Sequence, residues 1–205
     1  MGGLQARFAP RVIFASLLAF ASGAGGLLFE VVCLRRSALV CGHGSVGQAL
    51  VFAAFLVGFG LGGLVVPRIA FFGRRPLRGA VLLWAVVALL VVGVDYVLAG
   101  LRAGAPLAPL LVFAAALVTA LPMGGALPLL FPRFTAGDGR GVGIVQGANL
   151  LGSVGAAVLG SGYLVPDFGM RATAFVAAGL YATASLVLAT TMRLWLGAHS
   201  PSVGR

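Results

Sequence analysis

Charged side chains are scarce in this chain. Only 9% of its 205 residues are charged, lysine is absent, and four acids stand against fourteen arginines. A soluble domain carries about 25% charged residues, so this composition excludes an ordinary soluble protein. The net charge of +10 does not predict nucleic-acid binding, because the arginines lie between apolar runs. Membrane topology and anionic lipid explain these arginines better, and we expect no nucleic-acid partner.

Groups that hold metals or perform catalysis are also few. The two cysteines, Cys33 and Cys41, lack a metal-binding spacing, and His43 with Cys41 is too small a set for zinc. Residues 58–63 match the pattern GxGxxG, but they lie in the middle of an apolar run. That position favours close helix packing over a dinucleotide site. We therefore expect no catalytic residue, no metal and no other cofactor.

Apolar residues, in contrast, make up 60% of the chain. A helix needs about 20 mostly apolar residues to cross a bilayer, and the glycine, alanine and leucine content of the runs favours helices over barrel strands. We expect an all-α integral membrane protein, with residues 1–205 forming one bundle of six transmembrane helices. The predicted spans are residues 12–34, 46–66, 80–99, 107–131, 142–165 and 172–192.

The arginines orient this predicted bundle. Four of them fall on one side, at positions 35, 36, 102 and 171, and the other ten fall on the opposite side. Since arginine-rich loops remain in the cytoplasm, both termini are expected there. The predicted cytoplasmic surface would attract anionic membrane lipid.

Glu30 is the most informative residue, because a carboxylate inside a membrane span is costly, by about 2.5–3.5 kcal/mol at the bilayer centre. It shares one helix face with Ala19, Gly23 and Gly26, so it is expected to face protein and not lipid. Two interpretations are open. Glu30 binds a cation or a proton, or it forms a structural ion pair with Arg35, Arg36 or an arginine of a neighbouring loop.

The fifth run places Asn149, Gly152, Gly160 and Tyr163 on one face, with Gln146 one turn earlier. Amide side chains in a membrane need hydrogen-bonding partners, so Asn149 either joins two helices or lines a cavity. We predict a substrate-binding set formed by Glu30, Asn149, Gln146 and Tyr163.

Small residues and prolines complete the pattern. Close helix packing is predicted at Gly23, Gly26, Gly58, Gly62, Gly152 and Gly160. Helix kinks are predicted at Pro122 and Pro128, since a proline removes a backbone donor. Kinked helices with glycines are common at transporter binding sites.

Four segments, GAGGLLFEVVCLRR, GLGGLVVPRIAFFGRRPLR, MGGALPLL and GIVQGANLLGSVGAAVLGSGYLVPDFGMR, follow one another at residues 23–36, 60–78, 123–130 and 143–171. Together they resemble the membrane domain of bacterial fused spermidine synthase-like proteins. The resemblance implies a fold similar to half of a major facilitator transporter, a location in the bacterial inner membrane, and a link to polyamines. Family members often carry a soluble aminopropyltransferase domain. Only about thirteen residues follow Met192 here, so we expect no enzyme activity from this chain.

The leading hypothesis is a transporter-like module that binds or moves a small, polyamine-like cation. The alternatives are a structural subunit of a larger membrane complex and, more weakly, a membrane anchor for a separate soluble aminopropyltransferase. Complete facilitator transporters hold their site between two six-helix halves. We therefore expect a homodimer or a different membrane subunit as partner.

Orientation can be tested at Cys41, which is predicted on the outer side. A membrane-impermeant thiol reagent should label the protein in intact cells, and Cys41→Ser should abolish that labelling. If Cys41 reacts only after permeabilisation, the orientation is inverted.

Overall fold

A computed structural model describes residues 2–41, 44–135 and 138–197, with side chains placed at residues 10–41, 45–135 and 138–194. All regular structure in these ranges is helical, which confirms the expected all-α class. His43 and the predicted cytoplasmic tail beyond Gly197 lie outside the described residues. The α-helices are α1 (Gly2–Cys41), α2 (Gly44–Val65), α3 (Ala70–Arg74), α4 (Pro76–Gly100), α5 (Ala108–Ala126), α6 (Phe131–Phe134), α7 (Gly139–Leu159) and α8 (Val165–Gly197).

Five helical stretches in the described ranges are long and apolar enough to cross a membrane, so the chain has the build of a multi-pass membrane protein. The last of them has 56 residues, far more than the roughly 20 that one crossing needs, and it includes both runs predicted as the fifth and sixth spans. The five stretches are Pro10–Cys41, Ser45–Arg68, Pro76–Gly100, Ala108–Phe134 and Gly139–Leu194.

The helix α1 continues beyond its predicted apolar run. The run ends at residue 34, whereas the helix reaches Cys41 and includes Arg35 and Arg36. Arginine is a good helix former, so a charged pair can end an apolar run without ending the helix. This extension brings Arg36 into the bundle, where it contacts a distant helix.

Two helix pairs make the most extensive contacts in the bundle, α1 with α7 and α2 with α5. On α1 and α7, Phe20 lies beside Gly152 and Leu28 lies beside Gly160, so these two helices run in the same direction. On α2 and α5, Gly58 lies beside Ala120 and Gly62 beside Gly125, so this pair is also parallel. Because the two helices of each pair are parallel, the chain that connects them must run back in the opposite direction at least once.

Glycines let these pairs approach until backbones touch. A methyl group on Gly23 would overlap the Asn149 carbonyl oxygen, and one on Gly62 would overlap that of Leu121. In a membrane no hydrophobic force joins two helices, so close van der Waals contact of this kind holds them together. Each of the predicted packing glycines lies against a neighbouring helix: Gly23, Gly26, Gly58, Gly62, Gly152 and Gly160.

The two predicted kink positions differ in their local structure. The helix α5 continues through Pro122 and ends at Ala126. Pro128 lies in the following 3-10 turn, Leu127–Leu129, which leads into the short helix α6. The change in helix type therefore falls at Pro128, where the missing backbone donor disfavours a regular α-helix.

The long α8 contains a non-helical residue, Gly169, with φ of 83° and ψ of 166°. A residue with a side chain rarely adopts these backbone angles, so glycine suits the position. Beyond Gly169, Arg171 lies near Asp95 of α4, and Ser185 bonds to Val81 of the same helix. The segment after Gly169 therefore runs antiparallel to α4, and a five-residue π-helical turn, Gly160–Leu164, precedes it.

The packing predicts that an added methyl group destabilises the fold at Gly62 of α2 and has little effect at Gly60. Gly62→Ala should destabilise the fold by about 1–3 kcal/mol, because its methyl group meets the backbone of α5. Gly60→Ala is the matched control, since no described atom of a neighbouring helix lies within 4 Å of its added methyl group. Thermal unfolding in mild detergent should show a lower midpoint for the first variant alone. Equal midpoints for both variants would contradict the close α2–α5 contact.

Candidate functional site

Glu30 lies on α1 one helical turn beyond Gly26, and it is only 8% exposed. In the described part of the chain it forms no hydrogen bond or salt bridge, although its carboxylate oxygens are not fully shut off from the exterior. A buried charge without a partner is unfavourable, and such residues in membrane helices mark functional sites. Glu30 is therefore positioned to accept a cation or a proton.

Tyr181 is a polar neighbour of this site that the sequence analysis missed. Its hydroxyl donates a hydrogen bond of 2.9 Å to the Ser22 carbonyl oxygen. A methyl group on Gly26 would lie 3.0 Å from the same hydroxyl, so Tyr181 packs on α1 within about one turn of Glu30. The small residues of this α1 face would have been the signal, because they leave room for a large side chain from another helix.

Asn149 lies in the contact between α7 and α1. Its side chain packs against Gly23, and the neighbouring Ser153 hydroxyl donates to the Gly23 carbonyl oxygen at 3.1 Å. Gly23 precedes Glu30 by two helical turns, about 10 Å along the axis. Asn149 therefore joins two helices at this level and does not converge on the Glu30 carboxylate.

The other two predicted binding residues lie at the surface. Gln146 is exposed on α7, and Tyr163 is 53% exposed, with its ring against Phe168 at a centroid distance of 5.6 Å. Of the predicted substrate-binding set, Glu30 alone combines deep burial with the absence of a partner. The described residues thus reduce the candidate site to Glu30 with Tyr181 beside it.

Asp95 is a second buried carboxylate, and its role differs from that of Glu30. It lies on α4 and is 2% exposed. Arg36 donates two hydrogen bonds to its Oδ1 atom, of 3.1 Å from Nε and 2.9 Å from Nη2. Arg171 approaches its Oδ2 atom at 3.8 Å and lies over the Tyr96 ring at 4.7 Å.

This cluster joins α1, α4 and α8, and we call this part of the bundle the Asp95 end. It changes the interpretation of Glu30, because Arg36 was a candidate partner for Glu30 and is bonded to Asp95 instead. Arg35 forms no salt bridge in the described chain either. The structural ion-pair hypothesis for Glu30 therefore finds no partner among the described residues.

Removal of the Asp95 charge should destabilise the bundle. Asp95→Asn leaves the partly buried Arg36 without its counterion, and breaking such a pair costs up to about 3–5 kcal/mol. The control is Asp167→Asn, because Asp167 is exposed and forms no salt bridge in the described ranges. Thermal unfolding should show a clear drop for Asp95→Asn, and a change within about 0.5 kcal/mol for the control. Similar drops in both would contradict this role of Asp95.

Comparison with known proteins assigns no family to the chain. No protein-family model, no curated protein and no solved structure matches it. The similarity to the membrane domain of spermidine synthase-like proteins stays a prediction that rests on four sequence segments. Functional conclusions accordingly come from the residues of this chain.

Proposed function

We propose that this chain is a non-enzymatic, transporter-like membrane module that binds or moves a small cationic solute, with Glu30 as the charged contact. The observation that carries the proposal is the burial of Glu30 without a protein partner in the described chain. The resemblance to spermidine synthase-like proteins makes a polyamine the first solute to test.

The charge of the solute follows from the environment of Glu30. Glu30 is buried on the α1 face that also carries Gly26, where an added methyl group would lie 3.0 Å from the Tyr181 hydroxyl and 3.8 Å from the Phe59 ring. A carboxylate in such surroundings gains most from a cation that supplies both positive charge and hydrogen-bond donors. An ammonium group meets both requirements.

A six-span arrangement, with both termini in the cytoplasm, is part of this proposal. The directions of the helices support it. The helix α7 runs parallel to α1, and α4 also runs in the direction of α1, since both begin at the arginine-rich cavity and end near the Arg36–Asp95 pair. The segment after Gly169 runs antiparallel to α4 and therefore to α7. The turn at Gly169 would divide the 56-residue stretch into two crossings. The ten-to-four distribution of arginines supports the cytoplasmic placement of the termini in a bacterial inner membrane.

A second half would complete the module. In facilitator transporters the binding site lies between two six-helix halves, and this chain supplies one. A homodimer is the simplest closed arrangement, and a different membrane subunit is the alternative. Either partner would cover the exposed Gln146 and Tyr163 if they lie at the interface.

A structural subunit of a larger membrane complex is the second candidate function. The observation that favours it is the packing of Asn149 against Gly23, because a predicted binding residue serves there to join two helices. In this case Glu30 would meet a positive group of a neighbouring subunit and no solute. A membrane anchor for a separate soluble aminopropyltransferase is a third, weaker candidate.

Glu30→Gln separates these candidates, because it keeps the shape of the side chain and removes its charge. Melting without ligand should be nearly unchanged, since no described protein partner is lost. A bound triamine at 100 times its dissociation constant should stabilise the wild type by about 2.7 kcal/mol and leave Glu30→Gln unaffected.

Asp167→Asn provides the control for this experiment, because it removes an exposed acid and should retain the wild-type ligand response. Stabilisation by the triamine that survives in Glu30→Gln would remove Glu30 from the site. A large loss of stability in ligand-free Glu30→Gln, measured on the assembly with its neighbouring subunit, would favour the structural subunit.

A further inference from the structure

A cavity of about 880 Å³ lies at the end of the bundle opposite the Asp95 end, and we call this the arginine-rich end. Its walls come from the start of α1, the α3–α4 region, α6 and the last part of α8. Among the lining residues that the structure describes, none is an acid and five are arginines: Arg11, Arg74, Arg75, Arg78 and Arg133. The volume falls within the usual range for small-molecule sites, which is about 300–1,000 Å³.

We propose that this cavity binds the phosphate headgroup of an anionic phospholipid. The proposal is independent of Glu30, which does not line the cavity. It concerns one defined site, beyond the general attraction between a basic surface and a membrane.

The charge of the cavity demands an anion. Arg74, Arg75, Arg78 and Arg133 form no salt bridge within the described chain. Like charges gathered around one space repel one another, and an anion in that space relieves the repulsion. Guanidinium groups bind phosphate through two parallel hydrogen bonds, so several of them can surround one phosphodiester.

The apolar part of the lining favours a lipid over a free phosphate. Phe14 of α1 and Phe134 of α6 form one wall, with ring centroids 5.7 Å apart, and Leu188 of α8 adds to the apolar surface. A soluble phosphate ester offers nothing to these side chains, whereas the first methylene groups of an acyl chain can pack against them.

The position of the cavity agrees with a lipid ligand. Its lining residues lie at or next to the ends of four of the stretches that can cross a membrane, where headgroups are found. Basic pockets between membrane helices are a common way to hold anionic headgroups on the cytoplasmic side. The cavity combines the charge, the apolar wall and the volume that such a headgroup requires.

The test compares two double variants that each remove two positive charges. Arg75→Gln with Arg133→Gln alters the cavity, and Arg35→Gln with Arg102→Gln removes two exposed arginines that lie outside it. The purified chain in mild detergent is titrated with phosphatidylglycerol, with phosphatidylcholine of the same acyl chains, and with soluble glycerol phosphate. Native mass spectrometry reports the bound lipid, and thermal unfolding reports the stabilisation.

Phosphatidylglycerol should bind the wild type at a defined ratio, and the cavity variant should lose affinity by roughly 30-fold, or about fivefold for each arginine. The control variant should bind like the wild type. Equal losses in both variants would overturn the site, because they would indicate attraction to overall charge. Equal binding of phosphatidylcholine would overturn the need for an anionic headgroup, and equal binding of glycerol phosphate would overturn the lipid assignment.

A third variant keeps the proposal testable if the glutamine pair unfolds. Arg75→Lys with Arg133→Lys retains the charge but loses the planar fork that binds phosphate at two points. Its melting point without lipid should match the wild type, and its affinity for phosphatidylglycerol should fall between those of the wild type and the glutamine variant. Undiminished affinity in this lysine variant would contradict bidentate binding by these two arginines.

Discussion

Backbone contact between helices is the constraint on which the rest of this structure depends. Gly152 packs against the Phe20 backbone, Gly23 packs against the Asn149 backbone, and the α2–α5 pair repeats the pattern with Gly124 against Phe59. These contacts leave almost no freedom for one helix to rotate or slide against its neighbour. The depth and direction of the α1 side chains near these contacts, including Glu30, are therefore set by glycines on the same helix and on α7.

The two buried carboxylates show how this rigid frame assigns different roles to similar groups. Asp95 receives Arg36 because α1 continues as a helix past its apolar run and carries the guanidinium across to α4. Glu30 lies on the same helix, 6 residues before Arg36, and points to a face without a described counterion. Of the two nearest arginines along α1, Arg36 is bonded to Asp95 and Arg35 is exposed.

Local sequence patterns predicted the helices and their packed faces, but they could not predict contacts between residues far apart in the chain. The apolar runs indicated the helices, and the spacing of Gly23, Gly26 and Glu30 indicated a packed face. The pair Arg36–Asp95 is separated by 59 residues, so no periodicity could reveal it. The sequence could not decide whether Asn149 lines a cavity or joins two helices, because both roles need the same face of small residues. The arginine-rich cavity draws on four separate segments, which only the folded arrangement brings together.

The two ends of the bundle differ in how firmly they are held. At the Asp95 end, one carboxylate attracts two arginines and so joins three helices. At the arginine-rich end, positively charged guanidinium groups surround the cavity and repel one another. Added salt screens the exposed arginines around the cavity, whereas it affects the buried Arg36–Asp95 pair much less. Separating the helix ends around the cavity therefore breaks no salt bridge among the described residues, whereas separating those around Asp95 would break a buried one at a much higher cost in free energy.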